Sequence, residues 1–342
     1  MDLAELDYDL PDTAIAQVPA EPRDSARLLV DRGPGTAPDD RRVADLPSLV
    51  GPDDLLVVNT TRVLPARLEL TRPTGGAVEV LLLERLHGST WEALVRPSRR
   101  VRPGTVLDAG DGLAVEFGGA GTADGTRRVT LHTDAGADQI ALLRRHGAVP
   151  LPPYITAPLD DPERYQTVFA DRPGSVAAPT AGLHLTPGTL AACRDAGARV
   201  AAVDLAVGMA TFRPMSAPRV EEHEMHAERY CVPPATIDAV AATRRAGGRV
   251  IAVGTTTVRA LESAALTGQL AGRTGLFIHR PWDWRTVDLL MTNFHLPRSS
   301  LLALVDAFAG SRWRGLYREA LARGYRFLSF GDAMLLRPSP PA

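Results

Sequence analysis

The C-terminal half of the chain alternates between two hydrophobic periods. Apolar residues spaced three and four apart predict helices, and short continuous apolar runs predict strands. The predicted helices are Thr186–Ala196, Pro234–Ala246, Thr257–Leu266, Ser299–Ala309 and Arg314–Arg323, and the predicted strands are Ala198–Val207, Arg249–Val253, Leu276–His279, Val287–Thr292 and Tyr325–Phe330. Strands that alternate with helices indicate a largely parallel sheet.

The first 170 residues follow a different pattern. Apolar runs at Leu28–Val30 and Leu55–Val58 predict strands, and a short helix is expected around Asp161–Ala170. Between these, short strand-like runs are separated by Gly, Asp and Pro. We therefore predict an α/β fold: a larger α/β domain with a mostly parallel sheet, formed by residues 1–66 and 151–342, and a small all-β, barrel-like domain inserted at residues 67–150.

The amino-acid composition excludes some kinds of catalytic and binding site. The chain has 342 residues, 45% of them hydrophobic, and all 38 basic residues are arginine. The lack of lysine excludes a lysine Schiff base and a phosphate-binding loop lysine. The net charge of −2 argues against a generally basic nucleic-acid coat, although Arg96, Arg99, Arg100 and Arg102 could form a local basic patch.

The cysteines and the N-terminus bear on location. The two cysteines have neither metal-ligand spacing nor the pattern of a secreted disulfide framework. The N-terminus carries acids where a signal peptide has positive charge, and no apolar run is long enough to span a bilayer. We expect a cytoplasmic protein that does not bind a membrane.

A loop of small residues precedes one predicted helix. It runs from Gly174 to Leu185, contains Ser175, Thr180 and Gly182, and carries His184 just before the helix start at Thr186-Pro187. Small residues contribute little apolar area, so their use here favours close backbone approach to a ligand. His184 is the group in this loop that titrates near neutral pH.

A second candidate follows the strand Arg249–Val253. Gly254, Thr255, Thr256 and Thr257 open a helix that carries Arg259. Their amides and hydroxyls suit an anion or a carboxylate. A helix that is simply capped by threonine explains the same residues, and both interpretations stay open.

An acidic and imidazole cluster reads EEHEMHAE from Glu221 to Glu228 and includes His226. It matches no known zinc pattern. A solvated charged run and a histidine whose basicity is tuned by a carboxylate both fit the pattern.

Polar residues also follow other predicted strands, where open α/β sheets place ligands. Their structural alternatives are turns and caps. These residues are Asn59, Arg62, Gly208, Asn293, His295, Arg298 and Asp332.

Several long motifs together resemble one family. They are LDYDLPDTAIAQVPAEPRDSARLLV, NTTRVLPARL, PPYI, ERYQTVFA, GSVAAPTAGLHLTP, GTTTVRALESA, TNFHLPRSSLL and YRFLSFGDAML. In this order they resemble the S-adenosylmethionine:tRNA ribosyltransferase-isomerases of the queuosine pathway. The match covers essentially the whole chain, and the family's α/β domain with a small all-β insert agrees with the periodicity.

The resemblance implies a reaction. The ribosyl group of S-adenosylmethionine is transferred to 7-aminomethyl-7-deazaguanine in the tRNA anticodon and isomerised to give epoxyqueuosine, while adenine and methionine leave. A base must take a proton from the carbon beside the sulfonium. The implied partners are S-adenosylmethionine and the tRNA anticodon stem-loop. We also expect no metal and a monomeric enzyme.

The resemblance also suggests residue roles. The catalytic candidates are His184, His226, Glu228 and Arg259. The candidates for binding S-adenosylmethionine are Ser175, Thr180, Gly182, Gly208, Gly254, Thr255, Thr256 and Thr257. The candidates for binding the acceptor are Asn59, Arg62, Asn293, His295, Arg298 and Asp332.

The sequence departs from the family's usual motifs at the predicted rim of the site. The family usually has Asp at Thr60, His at Ala206, Gly at Ala210, and Pro-Gly-Tyr-x-Phe where Pro281–Trp284 stands. Two alternatives follow: a paralogue that uses or cleaves S-adenosylmethionine with a small-molecule acceptor, and a non-catalytic homologue that binds tRNA or a nucleotide.

Overall fold

The structure is a computed structural model that describes residues 1–122, 125–208 and 214–339. The chain divides into two compact units. The larger unit contains Met1–Thr61, Pro152–Arg172 and Ala178–Ala342, and the smaller unit contains Arg62–Leu151 and Pro173–Ala177.

Strands and helices are numbered in chain order. The strands are β1 (Arg27–Val30), β2 (Asp39–Arg42), β3 (Leu55–Asn59), β4 (Thr61–Val63), β5 (Arg67–Thr71), β6 (Ala77–His87), β7 (Thr90–Arg96), β8 (Val106–Gly110), β9 (Leu113–Ala120), β10 (Arg127–His132), β11 (Arg172–Ser175), β12 (Arg199–Leu205), β13 (Glu228–Cys231), β14 (Val250–Val253), β15 (Ala271–Thr274), β16 (Leu289–Asn293) and β17 (Ala333–Leu336). The helices are α1 (Gln139–His146), α2 (Pro187–Asp195), α3 (Pro234–Arg245), α4 (Thr255–Thr267), α5 (Ser300–Ala309) and α6 (Arg312–Ala322).

The larger unit is built on a nine-stranded sheet. Its strand order is β15-β13-β12-β3-β14-β16-β17-β1-β2 within the described part of the chain. The central strands β3, β14 and β16 consist of buried residues throughout, as expected of strands covered on both faces. Buried apolar side chains such as Leu56, Ile251 and Met291 form a core with residues of β1, α2 and β17.

The sheet is mixed, so the prediction of a mostly parallel sheet is not confirmed. Among the described strands, four neighbouring pairs are parallel and four are antiparallel. The parallel centre, β12-β3-β14-β16, fits the alternation read from the sequence. Two successive helices, α5 and α6, connect β16 to β17. After an even number of helices the chain is again at the end of the sheet where β16 finished, so β17 runs antiparallel to β16.

Two predicted elements are wrong, and a third is shorter than predicted. Leu276–His279 forms no strand: the Leu276 carbonyl accepts a hydrogen bond from Arg259 Nε rather than from a neighbouring strand. Tyr325–Phe330 makes only an isolated bridge, since Leu328 has a positive φ of 68° and turns the chain. The helix expected around residues 161–170 is one short 3₁₀ helix, Pro162–Tyr165.

The smaller unit contains a six-stranded antiparallel sheet of order β5-β6-β7-β10-β9-β8. The end strands β5 and β8 also approach each other, so the sheet is nearly closed. Alternate residues of β9 and β10, including Val115, Phe117 and Val129, are buried inside it, which is the alternation typical of a small barrel. The insert boundaries 67–150 stay a prediction from the sequence.

Candidate active site

The larger unit has a cleft where two adjacent strands end. Parallel strands β14 and β16 end at Val253 and Asn293, and the Gly254 amide donates to the Met291 carbonyl at 2.8 Å. The carboxyl ends of parallel strands meet at one edge of a sheet, which is where α/β proteins bind ligands. The cleft is open to solvent, has a volume of about 360 Å³ and is lined by Ala178, Pro179, Thr180, Ala181, Val207, Gly254, Thr255, Thr256, Thr292, Asn293, His295 and Leu301.

An adjoining pocket shares part of this wall. It is also open to solvent, has a volume of about 330 Å³ and is lined by Tyr154, Thr180, Asn293, Phe294, His295, Leu296, Ser299, Leu301, Leu328 and Ser329. The Tyr154 and Ser329 hydroxyls are 2.7 Å apart there, and burial raises the pKa of Tyr154. The tyrosine therefore stays protonated and keeps a hydrogen-bond donor at neutral pH.

The N-terminus of α4 forms one wall of the cleft. Gly254 precedes the helix with φ of 92°, a backbone conformation that strongly favours glycine. The first-turn amides of a helix lack intrahelical acceptors, and they carry the positive end of the helix dipole. Thr255 and Thr256 line the cleft, whereas the Thr257 hydroxyl donates to the Val253 carbonyl at 2.7 Å. This wall suits a carboxylate or hydroxyl groups of a ligand.

Asn293 connects the cleft to the buried structure behind it. Its Oδ1 accepts from the Thr180 hydroxyl at 2.9 Å, and its Nδ2 lies 3.0 Å from His184 Nε2. The same Nδ2 faces the carbonyls of Leu328 at 3.2 Å and Asp332 at 3.5 Å. These partners fix the orientation of the amide, so Nδ2 donates to His184 Nε2 and the ring proton lies on Nδ1.

His184 is buried and supports Asn293. Within the described residues, neither pocket wall includes it. Burial, followed by the charges of Arg326, Arg23 and Arg164, lowers the pKa of His184 to about 4. The imidazole is therefore neutral at pH 7, and its Nε2 lone pair is already engaged by Asn293.

His295 is the imidazole that lines both pockets. Its Nε2 lies 2.9 Å from the Thr292 hydroxyl, and its backbone is held by Tyr317 and Tyr8. Burial lowers the pKa of His295 to about 3. Because His295 lines both pockets, its neutral imidazole can form hydrogen bonds with a ligand.

Glu228 and Arg259 form a buried ion pair. Arg259 Nη1 donates to Glu228 Oε2, and its Nε and Nη2 donate to the carbonyls of Leu276 and Thr274. Glu228 Oε1 accepts from the Gly208 amide at 2.7 Å. Gly208 follows Val207, a residue of the cleft wall, so the pair fixes the backbone beside the cleft. His226, two residues before Glu228, is exposed.

Several other predicted binding residues hold the backbone. Asn59 donates to the Leu205 carbonyl and the Thr256 hydroxyl, and its Oδ1 accepts from the amides of Thr61 and Leu205. Asp332 accepts from the amides of Arg27 and Arg326. Neither side chain belongs to the walls of the two pockets.

The remaining predicted residues also lie outside these pocket walls. A side chain at Gly182 would contact Phe169 at 2.7 Å, which explains the glycine by packing. Arg298 is exposed and pairs with Asp7. Ser175 and Arg62 belong to the smaller unit.

The sequence reasoning did not select Tyr154, Thr292 or Leu301 as site residues. Tyr154 lies in the PPYI motif, and Thr292 is the residue before Asn293, so the motifs contained a signal for both. Leu301 reads as an ordinary core position of a helix. Within the described residues, no group of three or more metal-binding side chains forms, and no helix is long and apolar enough to cross a membrane.

Comparison with known proteins gives the family. The queuosine biosynthesis protein family matches residues 3–336. The chain belongs to this family. The resemblance read from the motifs is thereby confirmed.

Relatives in the family match along almost their whole length. The S-adenosylmethionine:tRNA ribosyltransferase-isomerase of Rubrobacter xylanophilus is 50% identical, over 97% of this chain and 96% of that protein. The enzyme of the same name from Anaeromyxobacter dehalogenans is 50% identical, over 98% and 99%. The crystal structure of S-adenosylmethionine tRNA ribosyltransferase from Thermotoga maritima is 37% identical with a TM-score of 0.55, covering 97% of this chain and 99% of that one.

The departures from the family's usual motifs lie in different surroundings. The Thr60 hydroxyl lies 3.2 Å from the Val203 carbonyl, and the Ala206 amide donates to the Arg229 carbonyl. Trp282 Nε1 lies 3.4 Å from Glu262 Oε2, a buried carboxylate. Ala210 lies outside the described residues. Thr60, Ala206 and Trp282 are not part of either pocket wall.

Proposed function

We propose that the chain transfers the ribosyl group of S-adenosylmethionine to 7-aminomethyl-7-deazaguanine in tRNA and isomerises it. The product is epoxyqueuosine, and adenine and methionine are released. Half of the residues are identical to those of enzymes named S-adenosylmethionine:tRNA ribosyltransferase-isomerase over nearly the full length, and this observation carries the proposal. We further propose a monomer that acts in the cytoplasm on the anticodon stem-loop.

The N-terminus of α4 is proposed as the subsite for the methionine carboxylate or the ribose hydroxyls. Its free amides and the hydroxyls of Thr255 and Thr256 offer donors at the positive end of a helix dipole. Arg259, a catalytic candidate from the sequence, acts in this arrangement through Glu228 and Gly208. It therefore positions the cleft wall.

His295 and Asn293 are proposed to orient the substrate. A histidine whose pKa is about 3 is a weak base, so hydrogen bonding fits His295 better than proton transfer does. His184 is proposed to position Asn293, since its Nε2 is already engaged. Of the other candidates from the resemblance, Glu228 has both oxygens engaged, by Arg259 and by the Gly208 amide, so the proton acceptor is proposed to be His226.

The reaction is tested by incubating the protein with S-adenosylmethionine, with and without tRNA that carries the deazaguanine base. We expect adenine and methionine to appear only with this tRNA. Release without RNA would instead identify a paralogue that uses a small acceptor. No release under any condition would identify a non-catalytic homologue, and either result would refute the proposal.

The proposed role of His295 is tested with His295→Phe. The variant lacks the ring nitrogens, so kcat/KM should fall by roughly tenfold to a hundredfold, as expected for the loss of one or two hydrogen bonds in a buried site. His87→Gln is the matched control, because His87 is exposed on β6. Turnover of His295→Phe equal to that of the control would exclude the role.

A further inference from the structure

We propose that four exposed arginines of the smaller unit form a docking surface for the phosphate backbone of tRNA. They are Arg96, Arg99, Arg100 and Arg102, called the arginine loop below. The proposal rests on the proposed function, because it assumes a tRNA substrate. It adds the surface that this substrate contacts.

The arginine loop has a fixed backbone. Arg96 ends β7, and Ser98–Arg100 forms a 3₁₀ helix. Arg127 is buried under this segment, and its guanidinium donates to the carbonyls of Ser98 at 3.1 Å and Val101 at 2.7 Å. Val101 is itself 4% exposed and anchors the loop by its apolar side chain. The backbone is thus held from below while the neighbouring arginine side chains face solvent.

The four side chains have no carboxylate partner within the described residues. Exposed arginines elsewhere in the chain do: Arg145 pairs with Asp111 and Arg298 pairs with Asp7. Glu79 lies opposite Arg96 on β6, but its carboxylate is 3.9 Å from Arg67. Four charges within seven residues therefore remain available to an external anion.

The chemistry of the patch favours a polyanion with phosphates. Guanidinium groups bind phosphate oxygens through two parallel hydrogen bonds. Residues 62–151 contain 12 arginines and 10 acidic residues, a formal charge of +2, whereas the whole chain has −2. A basic patch on a mildly acidic protein steers a nucleic acid to one surface. S-adenosylmethionine is too small to require four separate arginines, so we assign the patch to the RNA.

The test compares two multiple variants with the wild type. The first is Arg99→Gln/Arg100→Gln/Arg102→Gln. The matched control is Arg194→Gln/Arg244→Gln/Arg245→Gln, three exposed arginines in the last turns of α2 and α3. Binding of tRNA is measured at several salt concentrations, and steady-state kinetics give separate KM values for tRNA and S-adenosylmethionine. Thermal midpoints check that both variants fold, as expected for exposed positions.

Counterion release sets the expected result. Each lost phosphate contact reduces the magnitude of the slope of log affinity against log salt by about 0.7 to 0.9, so this magnitude should be smaller by about 2 to 3 in the triple variant. We expect KM for tRNA to rise roughly tenfold near 0.15 M salt, with kcat and KM for S-adenosylmethionine unchanged. The control variant should behave as the wild type does.

Two other outcomes would distinguish a failure of the docking surface from a failure of the proposed function. If the triple variant keeps the salt slope and the KM for tRNA of the wild type, the docking surface is refuted while the proposed function stands. If the wild type binds no tRNA and releases no adenine, the proposed function fails and the docking surface fails with it.

Discussion

Acidification from pH 7.5 to pH 5 should destabilise the larger unit, and His184→Gln should remove a defined part of that effect. Burial and the nearby arginines lower the pKa of His184 to about 4 in the folded protein, against a value of 6.5 in the unfolded chain. Between these two values the unfolded chain binds the proton and the folded protein does not. The free energy of unfolding therefore falls as the pH drops through this window.

The hydrogen bond of His184 also predicts that protonation destabilises the folded protein. His184 Nε2 accepts a hydrogen bond from the Asn293 amide, and a protonated Nε2 would face another N–H group. With the two pKa values above, protonation linkage costs about 2 kcal/mol of unfolding free energy at pH 5 relative to pH 7.5. Glutamine stays neutral throughout, so the variant should keep about 2 kcal/mol more of its pH 7.5 stability than the wild type does.

Urea unfolding followed by tryptophan fluorescence measures this difference, because Trp282, Trp284 and Trp313 lie in the larger unit. The control is His87→Gln, which should show the pH dependence of the wild type. Equal losses of stability in His184→Gln and the wild type between pH 7.5 and pH 5 would refute the reasoning.

Two further substitutions test the packing around the cleft. Arg259→Leu leaves the Glu228 carboxylate buried without its partner and should cost about 3 to 5 kcal/mol in urea unfolding. Adding Glu228→Gln should recover part of this loss, and an additive double variant would contradict a charge-pair effect. Gly182→Ala places a methyl group 2.7 Å from Phe169 and should lower the free energy of unfolding by about 1 to 3 kcal/mol. Gly188→Ala, whose nearest contact is at 3.6 Å, is the control and should be neutral or stabilising. Equal stabilities of the two variants would contradict the packing argument.

Much of the secondary structure was predictable from local sequence patterns. The strand Leu55–Val58 and the helix start at Thr186-Pro187 correspond to β3 and α2 within a residue or two. The edge strand β2 is not predicted because its residues are polar. It reads Asp-Asp-Arg-Arg and, among the described strands, pairs only with β1. Such a strand is formed by its neighbour's hydrogen bonds rather than by its own apolar pattern.

The sequence predicted where the candidate site lies better than it predicted the role of each residue in it. Polar residues after β14 and β16 meet because these strands are parallel neighbours, and the sequence could indicate this. Whether a side chain faces the cleft or the backbone behind it depends on residues distant in the chain. Asn59 and His184 are engaged by partners 109 to 197 positions away, which no local pattern specifies.

A histidine in a loop of small residues can either contact a ligand or be packed against the protein's own side chains. The small residues before His184 allow close packing, and Gly182 shows that the close neighbour is Phe169 rather than a ligand. Close packing buries the imidazole, burial lowers its pKa, and a lowered pKa makes it a poor proton acceptor at neutral pH. We therefore expect the loop to act on a ligand through Thr180 and through Asn293, to which His184 is hydrogen-bonded.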